Sequence, residues 1–364
     1  MQDTPGEPRA PKAAHLVEHL IGSTRYRRLR SRAGRFFHEM FDPTPTKTDM
    51  KLTVHIGTTK TGSTSIQAFL SQNRASLRAA GILVPLSLGV QNHFNIAISC
   101  LEYGQSDDLM KRVNILSNAD LTTFRYKRKR AFLSEISAAK ECHHTIITNE
   151  HLHSRCIKSS NIESFKEFVC PHFDKIEVLI YVRPQVDHLV SLYSTILRDG
   201  YTGTFESFVK LHMASKFGPY FNLQDIISRW SQVFGKENII VRPYEATKNV
   251  LYGALGDFCN VIGLDIDADS FSLPDSTNSS ISPNGQGLLK LVNSIENISP
   301  SIQEKIIEWI EANCSGRGTV PNIDLARQFM QRYTESNRWV VENYFPNNPE
   351  YLEPNWSVFD KNQK

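Results

Sequence analysis

Residues 57–65 have the composition of a loop that binds phosphate. Gly57 and Gly62 enclose Lys60, and several hydroxyl side chains follow the lysine. An apolar run precedes the loop and apolar residues at helical spacing follow it, which predicts a strand, a loop and a helix. The backbone N–H groups at such a helix start attract anions, and small side chains let the backbone approach a phosphate. The sequence therefore predicts an anion site that comprises Lys60, Thr61, Gly62, Ser63, Thr64 and Ser65.

This loop differs from that of the P-loop nucleoside triphosphatases, whose lysine directly follows the second glycine. Ser63 stands at that position here, and the lysine lies inside the loop. We identify no convincing aspartate at a strand end that would hold Mg²⁺. A magnesium-dependent P-loop kinase is the alternative enzyme, and both of these observations disfavour it. The alternative outside the enzymes is a module that binds a nucleotide or a glycan without turnover.

A second candidate phosphate site follows a later strand. The apolar run 176–182 leads directly into Arg183, and the helical segment after it carries Ser191. Ligands of open α/β sheets bind at the carboxyl ends of the strands, where Arg183 would emerge. The eight positions to Ser191 span about two helical turns, so a guanidinium and a hydroxyl could meet one anion. The alternative for Arg183 is an ion pair at the surface.

Residues 55–67, taken with Arg183 and Ser191, resemble the superfamily of sulfotransferases that use 3'-phosphoadenosine 5'-phosphosulfate (PAPS), and in particular its bacterial carbohydrate sulfotransferase-like branch. The resemblance implies that residues 61–65 hold the phosphosulfate and that Lys60 stabilises the charge on the leaving 5'-phosphate. It implies that Arg183 and Ser191 bind the 3'-phosphate. The expected activity is transfer of a sulfuryl group from PAPS to a hydroxyl of an acceptor. The family implies a carbohydrate as the acceptor and no metal ion.

The same resemblance extends to a late loop that contains Asn278 and Ser280. In the family, a loop at this place tends to lie close to the nucleotide, so both residues are expected to contact the donor. The sequence alone fits an ordinary Asn/Ser turn and helix cap equally well.

The catalytic base is expected at the end of the predicted strand 145–148, beside the phosphate loop. Glu150 is the first candidate because related bacterial sequences tend to show a glutamate at this place. His151 and His153 are alternatives, since histidine has the better unperturbed pKa for a base at neutral pH. His153 and His93 are also candidate contacts of the acceptor. For each residue the alternative is an ordinary polar group at a strand end or helix start.

Four apolar runs alternate with helical segments, which predicts an α/β fold. We expect a single P-loop-like domain, with a central parallel sheet flanked by helices and a mainly helical C-terminal part. The expected organisation is a basic N-terminal extension over residues 1–50, a sulfotransferase domain over 51–345 and a C-terminal tail over 346–364. The extension has two interpretations: a helix packed on the domain, or a basic amphipathic helix in peripheral contact with acidic lipid or polymer.

Bulk composition bears on three further questions: nucleic-acid partners, metal sites and location. The formal net charge of +3 over 364 residues does not indicate a nucleic-acid partner. The six cysteines show no spacing typical of zinc sites, so we expect reduced thiols and no metal. No apolar segment of about 20 residues predicts a transmembrane span, and no signal peptide is evident, so the expected location is the cytoplasm.

Overall fold

The computed structural model describes residues 48–105, 107–214, 218–267, 270–274 and 280–360. Most of the predicted N-terminal extension and the predicted donor contact Asn278 lie outside the described residues.

Five parallel strands form the central sheet in the order β2-β3-β1-β4-β5. The strands are β1 (Thr48–His55), β2 (Ile82–Leu83), β3 (His144–Thr148), β4 (Phe173–Val182) and β5 (Ile239–Pro243). Strand β1 is central, because Val54 pairs with Ile147 of β3 on one side and with Val178 of β4 on the other. The segments that follow β1, β3 and β4 therefore leave one edge of the sheet side by side. The predicted α/β fold class is confirmed.

Helices cover both faces of the sheet and form most of the C-terminal part. The α-helices of the described residues are α1 (Ser63–Gln72), α2 (Arg74–Ala79), α3 (Phe94–Cys100), α4 (Asp107–Arg112), α5 (Asn118–Ala138), α6 (His151–Ser154), α7 (Ser159–Val169), α8 (Gln185–Arg198), α9 (Phe205–His212), α10 (Gly218–Phe221), α11 (Leu223–Phe234), α12 (Tyr244–Thr247), α13 (Gly253–Ile262), α14 (Pro283–Asn293), α15 (Pro300–Asn313), α16 (Ile323–Gln331), α17 (Thr334–Tyr344) and α18 (Ser357–Asp360). Short 3₁₀ helices span Cys170–His172, Lys236–Asn238 and Pro349–Leu352.

The alternation of side chains along β4 divides the core into two layers. Val178 and Ile180 pack with helices α3, α5, α7 and α11, whereas Leu179 and Tyr181 pack with α1 and α13. All four residues are fully buried, as expected for a parallel strand that is covered on both faces. A third cluster joins α8, α9, α14, α15 and α16 beside the sheet. Helix α8, which follows Arg183, packs against the C-terminal helices α14 and α16.

A buried polar group fixes β4 against β5 and α13 below the edge where the loops emerge. The Tyr181 hydroxyl donates to Oδ2 of Asp257 at 2.8 Å, and Arg242 Nε donates to the same oxygen at 3.1 Å. Burial raises the pKa of Tyr181, and the nearby Asp257 carboxylate raises it further. The phenol therefore stays protonated and keeps donating.

The C-terminal part contains a break between two consecutive helices. Helices α16 and α17 are separated at Tyr333. The Tyr333 side chain is buried and contacts the rings of Phe329 and Phe221. No glycine or proline marks the break, so tertiary packing determines it. Leu352 and Phe359, in the segment predicted as a C-terminal tail, are also buried in the hydrophobic clusters.

Candidate active site

A cavity of about 980 Å³ opens where the loops after β1, β3 and β4 leave the sheet. Many of the residues that the sequence identified line it: Lys60, Gly62, Ser63, Thr64, Ser65, Glu150, His151, Arg183, Ser191 and Ser280. The structure therefore brings the predicted phosphate loop, the second phosphate site and the candidate bases to one space.

The phosphate loop is fixed to β4 by backbone hydrogen bonds. The N–H of Tyr181 donates to the carbonyl of Gly57 at 3.0 Å, and the N–H of Thr58 donates back to Tyr181 at 3.2 Å. The Thr58 hydroxyl also donates to the backbone carbonyl of Tyr181, at 3.0 Å. Thr61, which is buried and does not line the cavity, donates from its hydroxyl to the Thr58 carbonyl at 2.5 Å. Gly57 and Thr58 therefore fix the start of the phosphate loop to β4.

The turn into α1 requires a residue without a side chain. Gly62 has a φ of 84° and precedes the first residue of the helix. A Cβ on this residue would lie 2.7 Å from Cβ of Ala254 in α13. The next residue, Ser63, has a buried hydroxyl with no hydrogen-bond partner among the described residues. An orphaned hydroxyl at a helix start, beside a glycine turn, fits a site that accepts phosphate oxygens.

Cations surround Lys60. Burial lowers the pKa of its ammonium, and the positive charges of Arg198 and Arg183 lower it further, while Asp199 opposes them. Six cationic side chains and three carboxylates line the whole cavity. A cavity with this balance of charge favours a polyanionic ligand.

Arg183 both supports the phosphate loop and faces the cavity. Its Nη1 donates to the backbone carbonyl of Lys60 at 2.9 Å, and its guanidinium lies over the ring of Tyr244 at 5.0 Å. Its buried Nε has no partner among the described residues. Ser191, which lies on α8, lines the same cavity. The pair that the sequence proposed for a second phosphate is therefore brought together with the first loop.

Ser280 reaches the cavity through a short antiparallel bridge between Ile281 and Ser315. Its carbonyl accepts from the N–H of Gly316 at 2.7 Å, which holds it beside Arg317. Its predicted companion Asn278 is outside the described residues.

Glu150 is held by two side-chain amides. Gln67 Nε2 donates to Oε2 at 2.6 Å, and Asn92 Nδ2 donates to Oε1 at 2.7 Å. Asn149 in turn donates to Oδ1 of Asn92 at 2.6 Å. Two neutral donors fix the carboxylate, yet each oxygen keeps a lone pair that can accept a proton. A Cβ on Gly57 would lie 3.4 Å from Cα of Glu150, so this carboxylate starts directly beside the phosphate loop.

The three predicted histidines have different positions. His151 lines the cavity, and burial lowers its pKa although Glu150 opposes the shift, so the imidazole is neutral at pH 7. His153 is buried in the wall and donates from Nε2 to the carbonyl of Tyr220 at 3.0 Å. His93 is fully buried, and its Nδ1 accepts from the backbone N–H of Thr148 at 3.0 Å. Burial lowers the pKa of His153 to about 4 and that of His93 to about 3.

His93 and His153 thus contact the protein and are not among the lining residues. As arranged, they connect backbone segments, and a direct acceptor contact by either one stays a prediction from the sequence.

Several lining residues were not assigned a role from the sequence. They are Gln67, Asp187, Arg155, Arg198, Tyr220, Tyr244, Lys248 and Arg317. Arg198 was visible in the sequence as the residue seven positions after Ser191, which is two helical turns and so the same face of α8. Asp187 lies on the same helix, four positions before Ser191, and Gln67 lies on α1, whereas the other five are elsewhere in the chain.

Among the described residues, no group of three or more histidine, cysteine, aspartate or glutamate side chains could hold a metal ion. The helices in that part of the chain also lack the combination of length and apolar composition that crossing a bilayer requires.

Comparison with known proteins gives distant similarities. No protein-family model matches the chain. An uncharacterized protein from Archaeoglobus fulgidus is 24% identical over 191 residues, which cover 51% of this chain and 50% of that protein. The chain therefore matches only about half the length of this curated relative.

Two solved structures are also similar. The crystal structure of a sulfotransferase from Alicyclobacillus acidocaldarius is 15% identical, covers 77% of this chain and 95% of its own, and has a TM-score of 0.39. The sulfotransferase domain of the Synechococcus PCC 7002 olefin synthase is 15% identical, covers 80% and 97%, and has a TM-score of 0.35. Both TM-scores are low, so neither likeness establishes the activity of this chain.

Proposed function

We propose that this chain is a sulfotransferase that transfers a sulfuryl group from PAPS to a hydroxyl group of an acceptor. One observation carries the proposal: Lys60 in the phosphate loop, Arg183 at the end of β4 and Glu150 at the end of β3 line the same cavity. Such a cavity offers two cationic positions for a donor that carries two phosphates, and a carboxylate for the acceptor proton.

The donor side needs residues that bind and orient an anion. The backbone N–H groups at the start of α1 and the hydroxyls of Ser63, Thr64 and Ser65 would hold the phosphosulfate. Arg183 and Ser191 would hold the 3'-phosphate. Lys60 would stabilise the negative charge that develops on the 5'-phosphate when the bond from its oxygen to sulfur breaks.

The acceptor side needs a base. The acceptor hydroxyl loses its proton to the base while its oxygen forms the new bond to sulfur, and adenosine 3',5'-bisphosphate leaves. Glu150 and His151 both line the cavity and both can accept this proton. Glu150 has the more defined orientation, because two amides hold its two oxygens.

We further propose a carbohydrate acceptor. Its support is the chemical character of the wall around Glu150, which combines polar groups of His151, Ser154 and Arg155 with the ring of Tyr220. Sugars are bound by such combinations of hydrogen-bonding groups and one aromatic face.

Calorimetric titration tests the donor assignment. Adenosine 3',5'-bisphosphate is compared with AMP and with Mg-ATP under identical conditions. Selective binding of the bisphosphate without added metal supports the proposal, and a screen of saccharides with labelled PAPS then identifies the acceptor. Preference for Mg-ATP would overturn the sulfotransferase assignment in favour of a kinase.

A further inference from the structure

The phosphate loop is also held from the side by a hydrogen-bonded group whose hydrogen bonds have no role in the proposed reaction. Thr59, directly before Lys60, has its hydroxyl between two partners. Nε2 of His188 lies 2.6 Å from Oγ1, and the hydroxyl of Tyr220 lies 2.5 Å from it. His188 belongs to α8 and Tyr220 to α10, so three separate segments meet at one hydroxyl.

The surroundings make this arrangement rigid. His188 is buried, and its ring contacts those of Tyr220, Phe221 and His153 at centroid distances between 5.2 and 6.2 Å. Burial lowers the pKa of His188 well below its usual value, and the positive charges of Arg183 and Lys60 lower it further. A neutral imidazole can either donate to Thr59 or accept from it, and in both cases the hydroxyl can complete a chain with Tyr220.

We propose that His188 and Tyr220 are positioning residues that act through Thr59 to preset the phosphate loop for anion binding. Lys60 has a φ of 65°, a left-handed conformation that is unfavourable for a residue with a side chain. Fixing the hydroxyl of the preceding residue from two sides holds the loop in this conformation before a ligand arrives. Preorganisation of this kind increases affinity without any contact to the ligand.

His188 is not among the residues that line the cavity, so a substitution there tests the positioning role without removing a direct contact to the ligand. An effect of His188 on ligand affinity is therefore indirect and passes through the lining residues that it contacts, Thr59 and Tyr220. Tyr220 lies on the cavity wall, and the charges of Arg155 and Glu150 both influence its pKa, which burial raises to about 12. The same phenol thus connects the phosphate loop with the end of the cavity that contains Glu150.

The chain contains a matched control. In the sheet, Nε2 of His144 lies 2.8 Å from Oγ1 of Thr53, and both residues are buried. Burial lowers the pKa of His144 to about 4, so it is a neutral imidazole as well. Neither residue lines the cavity. Removing this second His–Thr hydrogen bond shows how ligand affinity responds when a buried hydrogen bond outside the cavity lining is lost.

The experiment compares His188→Leu with His144→Leu. Each variant is titrated calorimetrically with adenosine 3',5'-bisphosphate and unfolded in urea. We expect both to lose stability, but only His188→Leu to weaken binding, by about five- to tenfold, which corresponds to the loss of one hydrogen bond. His188→Gln, which keeps a hydrogen-bonding group near Oγ1, should recover most of the affinity. Equal Kd values for His188→Leu and the wild type would overturn the proposal.

Thr59→Val supplies a second test if His188→Leu does not fold. This variant keeps the shape of Thr59 but removes both hydrogen bonds, and Thr53→Val is its control. Where His188→Leu does fold, the double variant Thr59→Val/His188→Leu should bind no more weakly than the weaker single variant, because the two residues act through one loop. Additive losses would show independent roles and overturn the coupling.

This inference rests on the proposed function, because its first probe is adenosine 3',5'-bisphosphate. Mg-ATP is therefore titrated in parallel. If the wild type binds Mg-ATP and not the bisphosphate, the sulfotransferase assignment fails, and the His188 comparison is made with Mg-ATP. If the wild type binds the bisphosphate and His188→Leu binds it equally well, only the positioning role fails. If neither nucleotide binds, both proposals are overturned.

Discussion

Substitution of Gly62 tests whether the turn into α1 is required for the phosphate site. Two costs are expected for Gly62→Ala. At a φ of 84°, a residue with a Cβ is disfavoured by about 1–2 kcal/mol. In addition, the new Cβ would lie 2.7 Å from Cβ of Ala254, so the loop or α13 must move. Overpacking of this kind costs about 1–3 kcal/mol.

Gly104→Ala separates the two costs. Gly104 has a φ of 83°, but a Cβ on it would meet no atom within 4 Å. The backbone cost and the loss of freedom in the unfolded chain are therefore nearly the same for both variants. The difference in their free energies of unfolding isolates the contact with Ala254, and we expect it to be about 1–3 kcal/mol.

Urea unfolding measures this difference, and calorimetric titration with adenosine 3',5'-bisphosphate measures the consequence for the site. Gly62→Ala should weaken binding by about tenfold or more, since a 1.4 kcal/mol penalty corresponds to a factor of ten, whereas Gly104→Ala should bind like the wild type. The double variant Gly62→Ala/Ala254→Gly removes the close contact and should recover part of both losses. If Gly62→Ala matches Gly104→Ala in stability and affinity, the contact does not control the loop.

Three further predictions concern charge. Lys60→Ala should lower kcat by at least about tenfold with a smaller effect on KM, because its charge is needed most when the 5'-phosphate leaves, and unchanged turnover with PAPS would contradict this role. Arg183→Ala should weaken bisphosphate binding by about 10- to 100-fold in calorimetry through loss of a charge-assisted hydrogen bond, and equal affinity would exclude the site. His55 and His93 are buried with pKa values lowered from 6.5 to about 3. The unfolded chain therefore takes up more protons, and the free energy of unfolding in urea should fall by about 1 kcal/mol per histidine between pH 7.5 and 5.5. A flat profile would refute the neutral assignment.

The sheet and the positions of the phosphate loop and Arg183 at its end were predictable because their signals are local. Strands β1, β3, β4 and β5 appear as short apolar runs, and parallel pairing brings their carboxyl ends together. The phosphate loop lies within nine consecutive residues, and Arg183 directly follows its strand. Strand β2 has only two residues, Ile82 and Leu83, which is too short for a periodic pattern.

The acceptor side was less predictable, because its geometry depends on residues that are distant in sequence. Gln67 and Asn92 are 83 and 58 positions from Glu150, and Tyr220 is 161 positions from Thr59. No spacing rule connects such residues before the sheet is assembled. His93 illustrates a further difficulty. His93 meets backbone groups in the interior, a position that a single sequence does not distinguish from a ligand contact.

Helix α1 connects the two halves of the proposed reaction. Its first residue, Ser63, lies at the phosphate loop, and Gln67, one turn later, donates to Glu150. Residues four apart lie on the same face of a helix, so the donor site and the candidate base share one rigid support. A shift of α1 at Gly62 would therefore displace Glu150 as well as the anion-binding N–H groups. The hydrogen bond from Gln67 thus links Glu150 to the helix that begins at the phosphate loop.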